Sequence, residues 1–246
     1  MAKLTSMRGL LAGSACLALL AATPALAGTV TWTTWSDSFT ASPNIGTGVG
    51  GGSASGTAGA VGVTYTGELD NIQYSSAGGA VDWSSPSPGT TYIGGTVGNA
   101  PIVAEGAIQI QGGNSDTIDT ITFSKPVTNP IIAIWSLGQP GDPASFRFLD
   151  GETITVEATG PDSPYGGNGF TTITSNLVTD DEGGGTVQID GTFTSISWST
   201  PQHEDYYDFT VGVSSVPEPA SWALLLVGFA GLGGALRARR TSPARA

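Results

Sequence analysis

Between residues 28 and 215, apolar residues alternate with polar residues or glycine along most of the chain. No stretch there keeps apolar residues at the three-and-four spacing of an amphipathic helix for more than two turns. Alternation at spacing two recurs instead, most clearly at 30–32, 61–65, 108–110, 146–148, 154–156, 187–189 and 207–213. A sheet with one buried face requires this pattern, so the sequence predicts an all-β domain.

One strand and two turns refine this prediction. Residues 131–135 are apolar on both sides, which suits a central strand covered on each face. Asp150-Gly151 and Asp190-Gly191 have the composition of tight hairpin turns. We expect about ten to twelve short strands in a two-sheet antiparallel sandwich of jelly-roll or lectin-like type. A closed barrel also fits the pattern.

Two segments of the domain are predicted to be loops. Residues 42–60 are dominated by Gly, Ser, Ala and Thr and offer too little apolar bulk to offset the entropy of ordering. Residues 160–169 contain two prolines and several glycines. Loops at the end of a sandwich often carry binding sites, although tolerated surface insertions have the same composition.

The N-terminus has the three parts of a secretory signal. Lys3 and Arg8 precede an apolar stretch at 10–22, and Ala25 and Ala27 follow Pro24 at the positions that signal peptidase reads. We therefore expect residues 1–27 to form a signal helix that the Sec machinery uses, with cleavage before Gly28. The single cysteine, Cys16, would leave with the signal, so the mature domain would have no thiol for a disulfide, a nucleophile or a metal site.

Charge is distributed unevenly. Residues 28–217 contain 19 Asp and Glu side chains against two basic ones, Lys125 and Arg147, a net charge of about −17. This body repels phosphate backbones, so nucleic-acid binding is excluded as a function.

The C-terminal segment 216–246 reads as a membrane-directed tail. Residues 220–236 form an uncharged, largely apolar run of 17 residues, which as a transmembrane helix reaches roughly 25 Å. Arg237, Arg239 and Arg240 follow at once, and basic residues beside a span stay on the cytoplasmic side. The body would then face outward, in agreement with the N-terminal signal. A permanent tail anchor would show the same features.

The residues before the apolar run favour a processed tail. Residues 216–223, Val-Pro-Glu-Pro-Ala-Ser-Trp-Ala, followed by the glycine-rich span and the arginines, resemble the PEP-CTERM sorting signal in its PEPxxWA variant, with Trp222 at the Trp position. This resemblance implies an exosortase-type enzyme that recognises Pro217, Glu218 and Pro219, removes the tail after transient inner-membrane anchoring, and passes the body to the envelope or the extracellular matrix. Two prolines also keep the segment extended and out of the following helix.

No catalytic constellation stands out in the body. The one histidine, His203, lies in a polar stretch before the last predicted strand and is expected to be exposed. No serine has a Gly-x-Ser-x-Gly environment. Calcium is the one candidate cofactor, and the loop Asp180, Asp181 and Glu182 is its first candidate site, although no acidic cluster matches an EF-hand loop.

Aromatic residues offer a binding alternative. Trp135 and Trp198 lie in strand patterns and should be buried, whereas Trp83 and Tyr165 lie in loop-like surroundings and should be exposed, where they could stack on a sugar ring. The body also resembles, more weakly, the β-sandwich domains found ahead of PEP-CTERM tails, notably at 121–127 and 208–213. That likeness transfers no activity.

The sequence therefore predicts a non-enzymatic exported surface or matrix protein with a structural or adhesive body and exopolysaccharide as a candidate partner. The alternative is a carbohydrate-binding module or a secreted polysaccharide-active enzyme. An exposed aromatic platform beside a concave face, or a pair of carboxylates in a cleft, would favour the alternative.

Overall fold

The structure is a computed structural model that describes residues 27–42, 51–74, 81–84, 91–113, 117–214 and 228–229. Within these residues the chain forms fifteen strands and one short 3-10 turn, Val103–Glu105. The strands are β1 Val30–Trp32, β2 Thr34–Trp35, β3 Gly52–Ala58, β4 Val61–Gly67, β5 Asn71–Gln73, β6 Ala107–Gly112, β7 Asp119–Thr128, β8 Ile131–Trp135, β9 Ala144–Phe148, β10 Ile154–Gly160, β11 Thr172–Ile173, β12 Leu177–Asp180, β13 Gly184–Ile189, β14 Thr192–Ser199 and β15 His203–Ser214.

These strands form two antiparallel sheets, so the all-β prediction is confirmed. The seven-stranded sheet has the order β10-β13-β8-β15-β6-β5, and β1 also pairs with β15. The eight-stranded sheet has the order β11-β12-β9-β14-β7-β4-β3-β2. The number of strands exceeds the ten to twelve expected, because short edge strands such as β2 and β11 carry no sequence pattern of their own.

The two sheets pack against each other through an aromatic core. Phe209 on β15 of the seven-stranded sheet lies 5.1 Å from Trp198 and 5.9 Å from Phe146, ring centre to ring centre, and both partners belong to the eight-stranded sheet. Trp198 and Trp135 are fully buried, as predicted. Aromatic contacts at these distances bind the two layers more strongly than buried area alone.

The seven-stranded sheet is covered on its second face as well. Along β8, Ile132 and Ile134 belong to the core between the sheets, whereas Ile131, Ala133 and Trp135 belong to a second apolar cluster. That cluster also contains side chains from the segment preceding β6, among them Val81, Trp83, Tyr92 and Val97. All five β8 residues are buried, which confirms the prediction of a central strand covered on both faces.

The turns at Asp150-Gly151 and Asp190-Gly191 do not form hairpins. The first leads from β9 to β10 and the second from β13 to β14, and in each case the two strands belong to different sheets. Asp150 and Gly151 do have the positive φ angles of a tight turn, +58° and +79°. The hairpin prediction is wrong because turn residues fix a local reversal, not the partner that the next strand takes.

The loop prediction for 42–60 is also wrong in its second half, since 52–58 form strand β3 between β2 and β4. A Cβ on Gly56 would lie 2.5 Å from the carbonyl oxygen of Thr34, so this strand needs glycine where its neighbour approaches. Residues 43–50 lie outside the described part. The predicted loop at 160–169 is confirmed for 161–169, which follows β10.

The chain ends are described only in part. Ala25 and the rest of the predicted signal up to residue 26 lie outside the described residues, while the Gly28 N–H donates to the carbonyl oxygen of Thr96 at 2.9 Å. The predicted span 220–236 is described only at 228–229, which are helical. No helix among the described residues is both long and apolar enough to cross a membrane. The domain boundaries and both terminal helices stay predictions.

Candidate functional site

A cavity of about 190 Å³ opens where β8 ends and β15 begins. Its lining comes from four segments of the chain: Ser136, Gly138, Gln139 and Pro140 after β8, Tyr165 in the loop after β10, Glu182 before β13, and Glu204, Asp205 and Tyr206 at the start of β15. We call this cavity the acidic pocket. It is smaller than the roughly 300 Å³ at which sites for drug-sized ligands begin, so it suits a single ring or functional group of a larger ligand.

Hydrogen bonds around Ser136 fix the floor of the acidic pocket. Ser136 follows the last residue of β8 and has a φ of +54°, which turns the chain away from the strand direction. Its backbone N–H donates to Asp162, and its hydroxyl donates to Glu182 Oε1 at 3.0 Å. The Leu137 N–H donates to the carbonyl oxygen of Gly183 at 2.8 Å. Three loops are thus held in one arrangement before any ligand arrives.

Burial perturbs the carboxyl groups around the pocket. Desolvation, and after it the like charge of Glu182, raises the pKa of Glu204 to about 9. Burial raises the pKa of Asp180 to about 7 and also raises the pKa of Glu182. Burial raises the pKa of Asp162 well above its ordinary value, although hydrogen bonds from Tyr92 and Ser136 oppose the shift. Glu204 is therefore largely protonated at neutral pH, and Asp180 titrates near neutral pH.

Glu204 combines burial, a place in the pocket lining and an incomplete set of hydrogen bonds. Its side chain is only 3% exposed and lines the pocket, and its Oε2 has no hydrogen-bond partner within the described residues. A hydrogen bond from the Gly138 backbone lowers the pKa of Glu204 but does not offset burial. A buried polar atom without a partner costs free energy, so its presence beside a cavity points to a ligand that supplies the missing group.

Two tyrosine rings line the pocket beside these carboxyl groups, and the ring of Trp135 packs against both of them. The hydroxyls of Tyr165 and Tyr206 lie 2.7 Å apart. The Trp135 ring stacks on Tyr206 with centres 6.3 Å apart, and it lies 5.7 Å from Tyr165. Trp135 is buried, Tyr206 is half-buried, and Tyr165 is 45% exposed. The exposed ring is therefore backed by a rigid aromatic layer.

A second group of buried carboxyls lies between β4, β7 and the chain before β15. We call Tyr65, Glu68, Asp119 and Thr200 the closed cluster. Asp119 Oδ1 accepts from the Tyr65 hydroxyl at 2.7 Å and from the Glu68 N–H at 2.9 Å. Glu68 accepts from the N–H groups of Gln111 and Gly112. Burial raises the pKa of Asp119 to about 7, but here each carboxyl oxygen has a partner.

The acidic pocket brings together two residues that the sequence had singled out separately. Tyr165, a predicted ligand-binding residue, and Glu182, a predicted calcium ligand, both line it. Asp180 is buried, its Oδ1 accepting from the Asp181 N–H at 2.9 Å, and Asp181 is half-buried. Within the described ranges, no group of three or more His, Cys, Asp or Glu side chains is placed to hold a metal ion. Calcium binding at 180–182 stays a prediction.

The expected exposure of Trp83 is wrong. Its side chain is 5% exposed and packs edge-on against Tyr92, with ring centres 5.1 Å apart. The segment that carries it folds over the outer face of the seven-stranded sheet, so the polar residues after Trp83 do not mark a surface position. His203 is exposed, as predicted, although it begins β15 and does not precede it.

Sequence reasoning did not select Glu204 and Tyr206. Both lie where the register of β15 with β6 shifts, between His203 and Tyr207. A bulge of this kind redirects side chains relative to strict alternation. Glu204 is buried while the preceding His203 and the following Asp205 are exposed. The only available signal was the acidic and aromatic run 204–208 at the start of a strand.

Comparison with known proteins identifies the other end of the chain. A family model described as the PEP-CTERM protein-sorting motif matches residues 215–240. Residues 215–240 are a PEP-CTERM sorting motif. No curated protein matches the chain significantly. No solved structure matches it significantly either.

The PEP-CTERM motif assigns the chain's route. A chain with this motif is an exported, cell-envelope-directed protein that an exosortase-type enzyme sorts. The matched stretch contains all seven residues predicted to direct sorting, which lie outside the described residues: Pro217, Glu218, Pro219, Trp222, Arg237, Arg239 and Arg240. The acidic pocket belongs to the domain ahead of the PEP-CTERM motif, so sorting and any ligand binding occupy different parts of the chain.

Proposed function

We propose that this PEP-CTERM protein is an adhesive, non-enzymatic surface or matrix protein that binds a carbohydrate in the acidic pocket. The observation that carries the proposal is the partly exposed Tyr165 ring beside the carboxyl groups of Glu182 and Glu204 in one cavity. An aromatic face packs against the apolar face of a sugar ring, while carboxyl oxygens accept hydrogen bonds from its hydroxyls. The exopolysaccharide of the matrix is the corresponding partner.

Neither the carboxyl groups nor the size of the acidic pocket singles out a hydrolytic site. A glycosidase pair needs one protonated carboxyl and one ionised carboxylate. Burial raises the pKa of both Glu182 and Glu204, and the like charge of Glu182 raises the pKa of Glu204 further. Because burial acts in the same direction on both carboxyls, it does not set one of them apart as the ionised partner that a glycosidase requires. The small volume of the cavity also agrees with a binding role.

The terminal segments would deliver this domain. In the proposed sequence of events, signal peptidase cleaves between Ala27 and Gly28, the apolar run 220–236 halts in the membrane, and the exosortase recognises Pro217, Glu218 and Pro219 and removes the tail. The Gly28 N–H and carbonyl both bond to the 94–98 loop, which supports a mature domain beginning at this residue. Mass spectrometry of the mature protein should find neither the signal nor the tail. A C-terminus still at Ala246 would refute processing.

Carbohydrate binding is tested with the full chain, purified in detergent, on a glycan array with calcium and with a chelator. We expect a restricted set of glycans to bind. The variant Tyr165→Ala should lose at least about tenfold in affinity, because an exposed stacking ring is removed at little cost in folding. The matched control is Ile173→Ala, another exposed apolar residue, which does not line the pocket. If no glycan binds either with calcium or with the chelator, carbohydrate binding is overturned and a structural role is left.

A further inference from the structure

Acidic side chains surround the acidic pocket, and no basic side chain among the described residues lines it. Glu182, Glu204 and Asp205 line it, and Asp142 lies close enough to raise the pKa of Glu204. Apart from His203, which is exposed and does not line the pocket, the only basic residues of the body are Lys125 and Arg147. Both are exposed on strands of the eight-stranded sheet, and neither lines the pocket. A ligand that brings its own positive charge would complete this arrangement.

Glu204 provides an independent observation that points to a ligand. It is only 3% exposed, it lines the cavity, and its Oε2 accepts no hydrogen bond from the described residues. A donor that enters the cavity would satisfy this oxygen. A charged donor would gain more than a hydroxyl, because hydrogen bonds between ionised partners are roughly twice as strong as neutral ones.

The aromatic rings at the acidic pocket also favour the binding of a cation. The Tyr206 ring stacks on Trp135, and the partly exposed Tyr165 ring stands beside both. The face of an aromatic ring carries partial negative charge, so it attracts an ammonium group within about 6 Å of its centre. Carboxyl groups and ring faces around one small cavity therefore provide the two kinds of contact that an ammonium group uses.

From these contacts we infer that the acidic pocket selects an amino sugar with a free, protonated amine, whose ammonium group binds Glu204 and Glu182 while the sugar ring packs on Tyr165. This inference rests on the carbohydrate binding proposed above and specifies its ligand class. A sugar whose amine is acetylated has no positive charge and adds an acetyl group, so it would bind more weakly. The cavity of about 190 Å³ limits recognition to one such ring of a longer chain.

Binding of an ammonium group should release a proton. Burial raises the pKa of Glu204 to about 9, so the empty pocket holds this carboxyl protonated at neutral pH. The groups that face it are Glu182, Asp205, Asp142 and the Gly138 backbone, of which only the last favours the ionised form. An arriving ammonium stabilises the carboxylate, lowers its pKa, and sends its proton to the solvent.

The test is calorimetric titration of the full chain in detergent at about pH 6, in two buffers of different ionisation enthalpy. The probes are the β-1,4-linked glucosamine tetramer and its fully N-acetylated counterpart. We expect the free-amine tetramer to bind at least about tenfold more tightly. Glu204→Gln should abolish this preference and release about one proton fewer on binding. Asp150→Asn, which removes an exposed charge outside the pocket, should behave as the unaltered protein.

Each outcome decides between the two proposals. Equal affinity for both tetramers overturns the amino-sugar inference and leaves carbohydrate binding intact. If neither tetramer binds and no glycan on the array binds, the amino-sugar inference and the carbohydrate-binding proposal are both overturned. Equal losses in Glu204→Gln and Asp150→Asn would mean that the acidic surface attracts the cationic tetramer non-specifically, which also overturns the inference. If circular dichroism shows that Glu204→Gln does not fold, Glu182→Gln replaces it, and the same loss of preference is expected.

Discussion

The acidic pocket and the closed cluster both bury carboxyl groups and raise their pKa values, yet they differ in what surrounds the oxygens. In the closed cluster, Asp119 and Glu68 accept hydrogen bonds from neighbouring backbone and hydroxyl groups at every oxygen. In the acidic pocket, Glu204 Oε2 has no partner among the described residues, and a cavity lies beside it. Burial and a raised pKa are therefore found in both the closed cluster and the acidic pocket. What distinguishes the acidic pocket is a carboxyl oxygen without a hydrogen-bond partner beside a cavity.

The largest expected contrast is in stability. Asp119→Ala removes the acceptor of the Glu68 N–H and of the Thr200 hydroxyl, while the Tyr65 hydroxyl keeps its second acceptor, the Glu68 carbonyl oxygen. Each buried donor left without an acceptor costs about 1–3 kcal/mol, so we expect about 3 kcal/mol in total. Glu204→Ala removes one unpartnered oxygen and the acceptor of a single donor, the Gly138 N–H, so we expect about 1 kcal/mol. Urea unfolding at neutral pH measures both free energies. Equal losses would mean that the pocket carboxyl supports the fold as much as the closed cluster does.

The second contrast is in the dependence of stability on pH. The folded pKa of Glu204 is about 9 against an ordinary value of 4.5, and that of Asp119 is about 7 against 3.8. A raised folded pKa means that the folded state holds the proton longer, so stability is greatest below the ordinary pKa and falls as pH rises to the folded pKa. One such proton changes the free energy of unfolding by about 1.4 kcal/mol per pH unit within that window.

The two windows can be separated by amide variants. Glu204→Gln should flatten the loss of stability from about pH 4.5 up to about pH 9, whereas Asp119→Asn should flatten it only below about pH 7. Asp162 and Asp208, whose pKa values burial also raises, are present in both variants and so cancel in the comparison. Unfolding free energies at pH 5, 7 and 9 or thereabouts are the measurement. Identical slopes of the two variants above pH 7 would show that Glu204 does not titrate there.

The alternation of apolar and polar residues predicted most of the longer strands in the two sheets. All seven segments with alternation became strands, and the doubly apolar segment became β8, because alternation records directly which faces of a strand are buried. Connections were less predictable. Asp150-Gly151 has the backbone of a tight turn but links two sheets, since the choice of sheet depends on contacts with distant strands. Strand β3, built from small residues, was missed because its glycines serve close approach and not flexibility.

The acidic pocket was half predictable. Tyr165 and Glu182 stood out as loop residues with binding chemistry, but nothing in the sequence joins residue 165 to residue 182, or either to residue 204. Their meeting depends on Ser136, whose backbone and hydroxyl bond to Asp162 and Glu182. The predicted exposure of Trp83 was wrong for a similar reason, since the segment that carries it folds over the sheet and buries it. Long-range hydrogen bonds and coverage of a sheet face leave no periodic signal.

The smallest expected contrast compares the same change, Tyr→Phe, in the two regions. Tyr65→Phe removes a buried hydroxyl that donates to Asp119 and keeps the ring contact with Phe209 at 5.3 Å, so we expect a loss of about 1–2 kcal/mol. Tyr165→Phe removes a hydroxyl that bonds to Tyr206 at the surface and keeps the contact with Trp135, so we expect less than about 0.5 kcal/mol.

The two Tyr→Phe variants should also differ in what else they change. The Tyr65 hydroxyl lowers the pKa of Asp119, so its removal should raise that pKa further and extend the loss of stability that accompanies rising pH to values above about 7. Tyr165→Phe should leave that profile unaltered and keep amino-sugar affinity within about threefold, because the stacking face of the ring remains. Unfolding free energy against pH, with calorimetric affinity beside it, separates the two. A large loss of stability in Tyr165→Phe would mean that the Tyr165 hydroxyl stabilises its loop. The acidic pocket would then have a structural role like that of the closed cluster, despite the unpartnered oxygen of Glu204.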